Sequence, residues 1–246
     1  MELAVLAFAG AATALATGLG AIPVSHLGRR AEEIRPVLWG LTVGLMSVAA
    51  VLGLLLPAFD GGSNGPALAG LAVGIAFLLV SRRALEGRDV HVGALSGAGV
   101  RRSVLVFAVL LVHSLPEGFA IGTAYASEKE GLGLFVILAI ALQNVPEGTS
   151  VAIPMEAAGF SARQQFWAAV LSSAPQPIGA VIAYALVNQI ESLLPFSFAF
   201  AAGAMLALVV VELAPEAFRR ETLRLGVAGT VAGGALMFAL ALTLGV

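Results

Sequence analysis

Eight apolar stretches, each close to the length of a membrane-crossing helix, leave this chain few folds to choose from. They run over roughly 3–24, 36–57, 66–82, 102–125, 131–155, 163–188, 195–215 and 225–245. A helix needs about 20 mainly apolar residues to cross the hydrocarbon core of a bilayer. Within that core every backbone N–H and C=O must be satisfied by the protein itself, so such segments assemble as a helical bundle. The composition agrees. Of 246 residues, 59% are hydrophobic and 11% charged, whereas soluble domains carry about 25% charged residues. The expectation is an all-α polytopic membrane protein with eight transmembrane helices, forming a single domain over 1–246. Met1-Glu2-Leu3 lacks a basic leader, and the apolar run behind it reaches Val24. That is too long for a signal-peptide core, so it reads as a retained first span. The lipid bilayer is the expected partner and nucleic acid is not; the net charge of −2 is uninformative by itself, and a homodimer is left open.

The basic residues set the orientation. Connections after the first, third, fifth and seventh spans hold Arg29, Arg30, Arg35, Arg82, Arg83, Arg88, Arg101, Arg102, Arg163, Arg219, Arg220 and Arg224. Those after the second, fourth and sixth hold Lys129 alone. Cytoplasmic connections carry the excess of Lys and Arg, so both termini are expected outside, in the cytoplasmic (inner) membrane. The longest connection, about 83–101, is then a cytoplasmic loop; with His91 as its one histidine it reads as a linker rather than a metal-binding loop. Glycines one turn apart, at Gly40/Gly44, Gly70/Gly74 and Gly229/Gly233, read as helix-packing positions.

Two hexapeptides thirty residues apart carry the chemistry. They are His113-Ser114-Leu115-Pro116-Glu117-Gly118 in span 4 and Gln143-Asn144-Val145-Pro146-Glu147-Gly148 in span 5. A charged side chain at the bilayer centre costs about 2.5–3.5 kcal/mol on insertion scales, and such residues mark ion pathways and proton relays. On a helix, residues i and i+4 share a face, so His113 projects with Glu117 and Gln143 with Glu147. Each proline removes a backbone donor and frees a carbonyl, that of Val112 or Leu142. The connection Ala126–Glu130 is short, which makes the two helices antiparallel neighbours whose motifs meet at mid-depth. Two carboxylates in a low dielectric repel each other, and a divalent cation between them removes that penalty. With no cysteine in the chain, the nitrogen and oxygen donors suit zinc, iron, manganese or cadmium.

These motifs resemble the paired signature of the ZIP (Zrt/Irt-like protein) family of divalent metal transporters, in its prokaryotic branch. The resemblance extends to Thr17–Pro23, to Gly44–Ser47, to Ser172–Gly179, and to Gly203–Met205 with Glu212–Glu216, and so covers nearly the whole chain. It implies eight spans with both termini outside and a mid-membrane centre able to hold two neighbouring metals. By that resemblance the first site uses His113, Glu117, Gln143 and Glu147, with Met46 nearby. The second shares Glu117 and Glu147 and adds Ser114, Asn144 and Glu212. Three residues depart from the pattern: Gln143 stands in place of a common histidine, Ser114 in place of the usual asparagine, and Gln176 where many members have glutamate. The second site is therefore expected to be weaker or completed by water. Glu216 reads as an exit or helix-end residue and His26 as interfacial.

The leading expectation is a carrier, not an enzyme, that moves a divalent cation into the cytoplasm, zinc first and cadmium, iron or manganese next. The metal is its substrate, and no cofactor is expected. Alternating access would move spans 1, 4, 5 and 6 against spans 2, 3, 7 and 8, a division implied by the resemblance. Two other readings remain at this level. One is an intramembrane metallohydrolase with Glu117 or Glu147 as general base, although no HExxH element is present. The other is a proton-coupled carrier of an organic substrate.

Overall fold

Prolines and small residues decide how these helices bend and how closely they approach. The computed structural model describes residues 2–60, 64–86, 98–127 and 129–246. Eight of its helices are long and apolar enough to cross a membrane. We label them α1 (Glu2–Leu27), α2 (Ala31–Phe59), α3 (Asn64–Glu86), α4 (Ala98–Ala126), α5 (Leu132–Ala157), α6 (Ala162–Gln189), α7 (Glu191–Ala217) and α8 (Arg220–Leu244). They agree in number and order with the eight apolar stretches. The bounds differ, because a helix continues past the apolar segment into the polar interface. Thus α2 already includes Glu32, Glu33 and Arg35, and α3 and α4 run into the segment expected as a loop at 83–101. Arg88 and His91 of that segment lie outside the described residues.

Three helices are irregular, each beside a proline. α2 widens into a π turn over Ala49–Leu55, just before Pro57, and α7 does so over Val209–Leu213, just before Pro215. Proline lacks an N–H and collides with the carbonyl four residues earlier; a wider turn accommodates both, and such π turns are common at functional sites. α6 breaks outright. Its first half ends at Ser172 and its second begins at Pro175. By contrast α4 and α5 run through Pro116 and Pro146.

The packing pairs α1 with α5, α4 with α6, α2 with α8 and α3 with α7, while α4 and α5 meet along the bundle axis. Exchanging α1 with α6, α2 with α7, α3 with α8 and α4 with α5 maps this set onto itself. That is the pattern of two three-helix repeats of opposite orientation flanking a central pair, a common plan among secondary transporters. The glycine pairs are the contact points. A Cβ at Gly40 would lie 2.1 Å from the Gly226 carbonyl of α8, and one at Gly70 would lie 2.2 Å from the Phe196 carbonyl of α7. Apolar side chains such as Phe8, Val80, Val231 and Leu242 are exposed around the outside, as a lipid-facing surface requires. The Lys129 ammonium lies 2.6 Å from Asp60. This ties the α4–α5 connection to the end of α2.

Candidate metal centre

His113 and Glu117 lie one turn apart on α4, and Gln143 and Glu147 one turn apart on α5. The antiparallel pairing brings all four together, with Asn144 beside them. His113, Glu117, Gln143 and Asn144 have no exposed surface, and Glu147 retains 4%. One ligand atom from each of His113, Glu117 and Glu147 lies within 4.8 Å of the other two. The His113 Nε2 is 3.5 Å from Glu117 Oε1, and Gln143 Nε2 donates to that same oxygen at 2.5 Å.

The motif glycines allow this convergence. A Cβ at Gly118 would fall 2.3 Å from the Gln176 carbonyl of α6, and one at Gly148 would fall 1.8 Å from the Thr17 carbonyl of α1. Backbone therefore lies against backbone one residue from each glutamate. Glu117 and Glu147 are placed by α6 and α1 as well as by their own helices.

Buried polar atoms in proteins are nearly always hydrogen-bonded. At this centre both ring nitrogens of His113, Gln143 Oε1 and Glu147 Oε2 have no hydrogen-bond partner. Three of these can offer a lone pair at once, since neutral imidazole presents one bare nitrogen. With Glu117, the group comprises two carboxylates, one imidazole and one amide oxygen. A divalent cation satisfies such a group at once, with bonds of about 2.0–2.2 Å, and neutralises the two carboxylates.

The other residues singled out in the sequence are engaged elsewhere. Ser114 Oγ lies 2.8 Å from the Leu110 carbonyl and 2.9 Å from the Ser172 carbonyl. The second contact satisfies an oxygen freed by the break in α6. Met46 is fully buried in the apolar cluster that includes Leu45, Ala50 and Met205. Glu212, in the widened turn of α7, forms an ion pair of 2.6 Å with Arg82 of α3. Asn144 Nδ2 donates to the Thr13 carbonyl at 2.7 Å.

A cavity of about 270 Å³ is lined by both Glu147 of the centre and Glu212. Glu147 and Ser150 line one part of it, Trp39 and Thr42 its flank, and Arg82, Leu85 and Glu212 another part. Glu147 is thus the residue through which the centre meets open space. Towards the opposite end α4 and α5 are filled by Ile121, Ala124, Phe135, Ala139 and Ile140, all buried.

Thr13 was not among the expected site residues. Its Oγ1 lies 2.8 Å from Gln176 Oε1, and Thr17, one turn further along α1, pairs with Ser173 at 2.7 Å. Two threonines at i and i+4 on an apolar helix mark one polar face, which was the available signal.

A family model described as ZIP Zinc transporter matches residues 83–241. The zinc transporter GufA of Myxococcus xanthus is 33% identical over 248 residues, covering 94% of this chain and 95% of that protein. The zinc transporter ZIPB of Bordetella bronchiseptica is 32% identical, over 96% of this chain and 80% of its own length. A protein of Arabidopsis thaliana is 33% identical over 86% of this chain, but the match spans only 34% of its length. The two hexapeptides fall inside the matched region, and the bacterial likenesses extend over nearly the whole chain. The chain belongs to the ZIP zinc transporter family.

Proposed function

We propose that this chain carries divalent metal cations, zinc first among them, across a cytoplasmic membrane and into the cell. It binds them at His113, Glu117, Gln143 and Glu147. The observation that supports this best is the joint position of the centre and the cavity. Unpartnered donor atoms of His113, Gln143 and Glu147 sit at mid-bundle, and open space reaches them along Glu147 on the side of Arg82 and Glu212. Arginines concentrate at that end of the helices, which under the positive-inside rule makes it the cytoplasmic end. The conformation then corresponds to an inward-facing state, from which the ion leaves past Glu147 towards Glu212. The family is one of transporters, which sets the hydrolase reading aside. Purified protein in liposomes is expected to take up zinc against empty-liposome controls. Absence of metal flux, with uptake of a small organic substrate instead, would overturn the reading.

The orientation is tested separately. Cysteines placed singly at Lys129 and Ser192 are expected to react with an impermeant reagent in intact cells. Cysteines at Glu33 and Arg220 are expected to react only after permeabilisation. The opposite pattern would reverse the direction of transport.

Selectivity tests the span 5 half of the site. Gln143→His replaces an amide oxygen with an imidazole, a donor favoured by zinc over manganese. The zinc-to-manganese affinity ratio of the purified protein is expected to rise about tenfold or more, the lower end of ligand-environment effects on affinity. An unchanged ratio would mean that Gln143 does not face the ion.

A further inference from the structure

We propose that the side-chain amide of Gln176 fills the position beside Glu117 that a second cation would need, so that the centre holds one metal ion at a time. The inference rests on the reading of His113, Glu117, Gln143 and Glu147 as a metal site.

Gln176 is fully buried and is the second residue of the half-helix that begins at Pro175 after the break in α6. Its Nε2 donates to Glu117 Oε2 at 2.6 Å and lies 3.3 Å from Asn144 Oδ1. Its Oε1 accepts from Asn144 Nδ2 at 3.1 Å and lies 2.8 Å from Thr13 Oγ1. Asn144 Nδ2 spends its other hydrogen on the Thr13 carbonyl. The network fixes which way round the amide sits. A carboxylate oxygen only accepts, so the nitrogen of Gln176 must face Glu117. The reversed amide would set oxygen against carboxylate and nitrogen against the Asn144 amide nitrogen.

The consequence concerns lone pairs. An amide nitrogen offers hydrogens and is not a metal ligand. Glu117 Oε2 and Asn144 Oδ1 are the oxygens available on that side of the centre, and both already receive those hydrogens. A cation at about 2.0–2.2 Å from these oxygens would have to displace the Gln176 nitrogen. It would also approach the amino end of a helix, which carries a partial positive charge. Ser114 and Glu212 offer no substitute, since the first contacts two backbone carbonyls and the second pairs with Arg82. Glu117 Oε1 also accepts a hydrogen, from Gln143, but that amide leaves its own oxygen unpartnered and can turn it towards an ion, whereas the Gln176 amide is held at its oxygen as well, by Asn144 and Thr13. The clasp also joins α1, α4, α5 and α6 at one point, so Gln176 acts as a positioning residue.

The test counts ions. Purified protein is saturated with zinc, freed of excess, and analysed for metal per chain, taking as the centre's share the ions lost in Glu117→Gln and Glu147→Gln. Wild type is expected to hold one such ion. Gln176→Glu, which turns the clasp into a third carboxylate, is expected to hold two. Gln176→Leu, which removes the clasp without adding a ligand, is expected to hold one. Two ions in the wild type, or one in a folded Gln176→Glu, would overturn the proposal. Should Gln176→Glu fail to fold, the wild-type count alone decides. A wild type holding no ion that depends on Glu117 and Glu147 would instead refute the metal site itself.

Discussion

Zinc transport by Glu117→Gln is expected to fall by at least about 100-fold, the upper range seen when even residues that only support a ligand are removed. Glu117 is the most connected residue of the centre. Its Oε1 faces His113 and accepts from Gln143, while its Oε2 accepts from Gln176. Glutamine keeps the size but loses the charge, and it presents an NH₂ to partners that already donate hydrogens. One of the two neighbouring amides, Gln143 or Gln176, then faces a donor, and the cation loses half of its carboxylate charge. Glu147→Gln is expected to match it in transport, since Glu147 supplies the other carboxylate and the only edge of the centre that reaches the cavity. The contrast is Ser114→Ala. Its hydroxyl contacts the Leu110 and Ser172 carbonyls rather than the cluster of donors, so uptake is expected to stay within about fivefold, the factor set by one net hydrogen bond of roughly 0.5–1 kcal/mol. Initial rates in proteoliposomes, normalised to folded protein, measure all three. Normal transport by Glu117→Gln would remove the carboxylate centre from the mechanism.

The centre was legible in the sequence because its geometry is local. His113 with Glu117, and Gln143 with Glu147, need only the pitch of a helix. Their meeting needs only a short connection between two spans of similar length. The clasp was not legible, because it depends on partners far apart in the chain. Gln176 could be marked as a departure from a familiar pattern. Which atoms it holds follows from the break after Ser172, which turns the second half of α6, and from the approach of Thr13, whose helical face marks it as polar but names no partner. Glu212 illustrates a different limit. Its place in span 7 was evident, but its pairing with Arg82 depends on how α3 lies along α7, and hydropathy carries no information on rotation about a helix axis. The helix ends were blurred for a related reason. Hydropathy marks what lies in hydrocarbon, and α2 extends beyond that through Glu32 and Glu33.

Gly148→Ala is expected to damage both fold and function through a single methyl group. The Cβ it adds would sit 1.8 Å from the Thr17 carbonyl oxygen, an approach no carbon makes to backbone. The contact is reciprocal, because a Cβ at Gly20 would fall 2.0 Å from the Val145 carbonyl. No side chain can swing aside, so α1 and α5 must separate. Overpacking of this kind costs about 1–3 kcal/mol and occasionally more, and here it acts next to the site. Glu147 precedes Gly148, and Asn144, one turn back, holds the Thr13 carbonyl of the same α1. Separation of the helices therefore lengthens that hydrogen bond and shifts Glu147 away from Glu117. The folded fraction that remains is expected to bind zinc at least about tenfold more weakly, in line with losses from misplaced ligand supports. Gly65→Ala is the control, since nothing lies within 4 Å of its added carbon. Thermal midpoints and zinc affinity of the two variants, measured side by side, separate the effects. A Gly148→Ala protein as stable and as tight as Gly65→Ala would mean that α1 does not press on α5 at this point, and that the glutamate of span 5 is placed by its own helix alone.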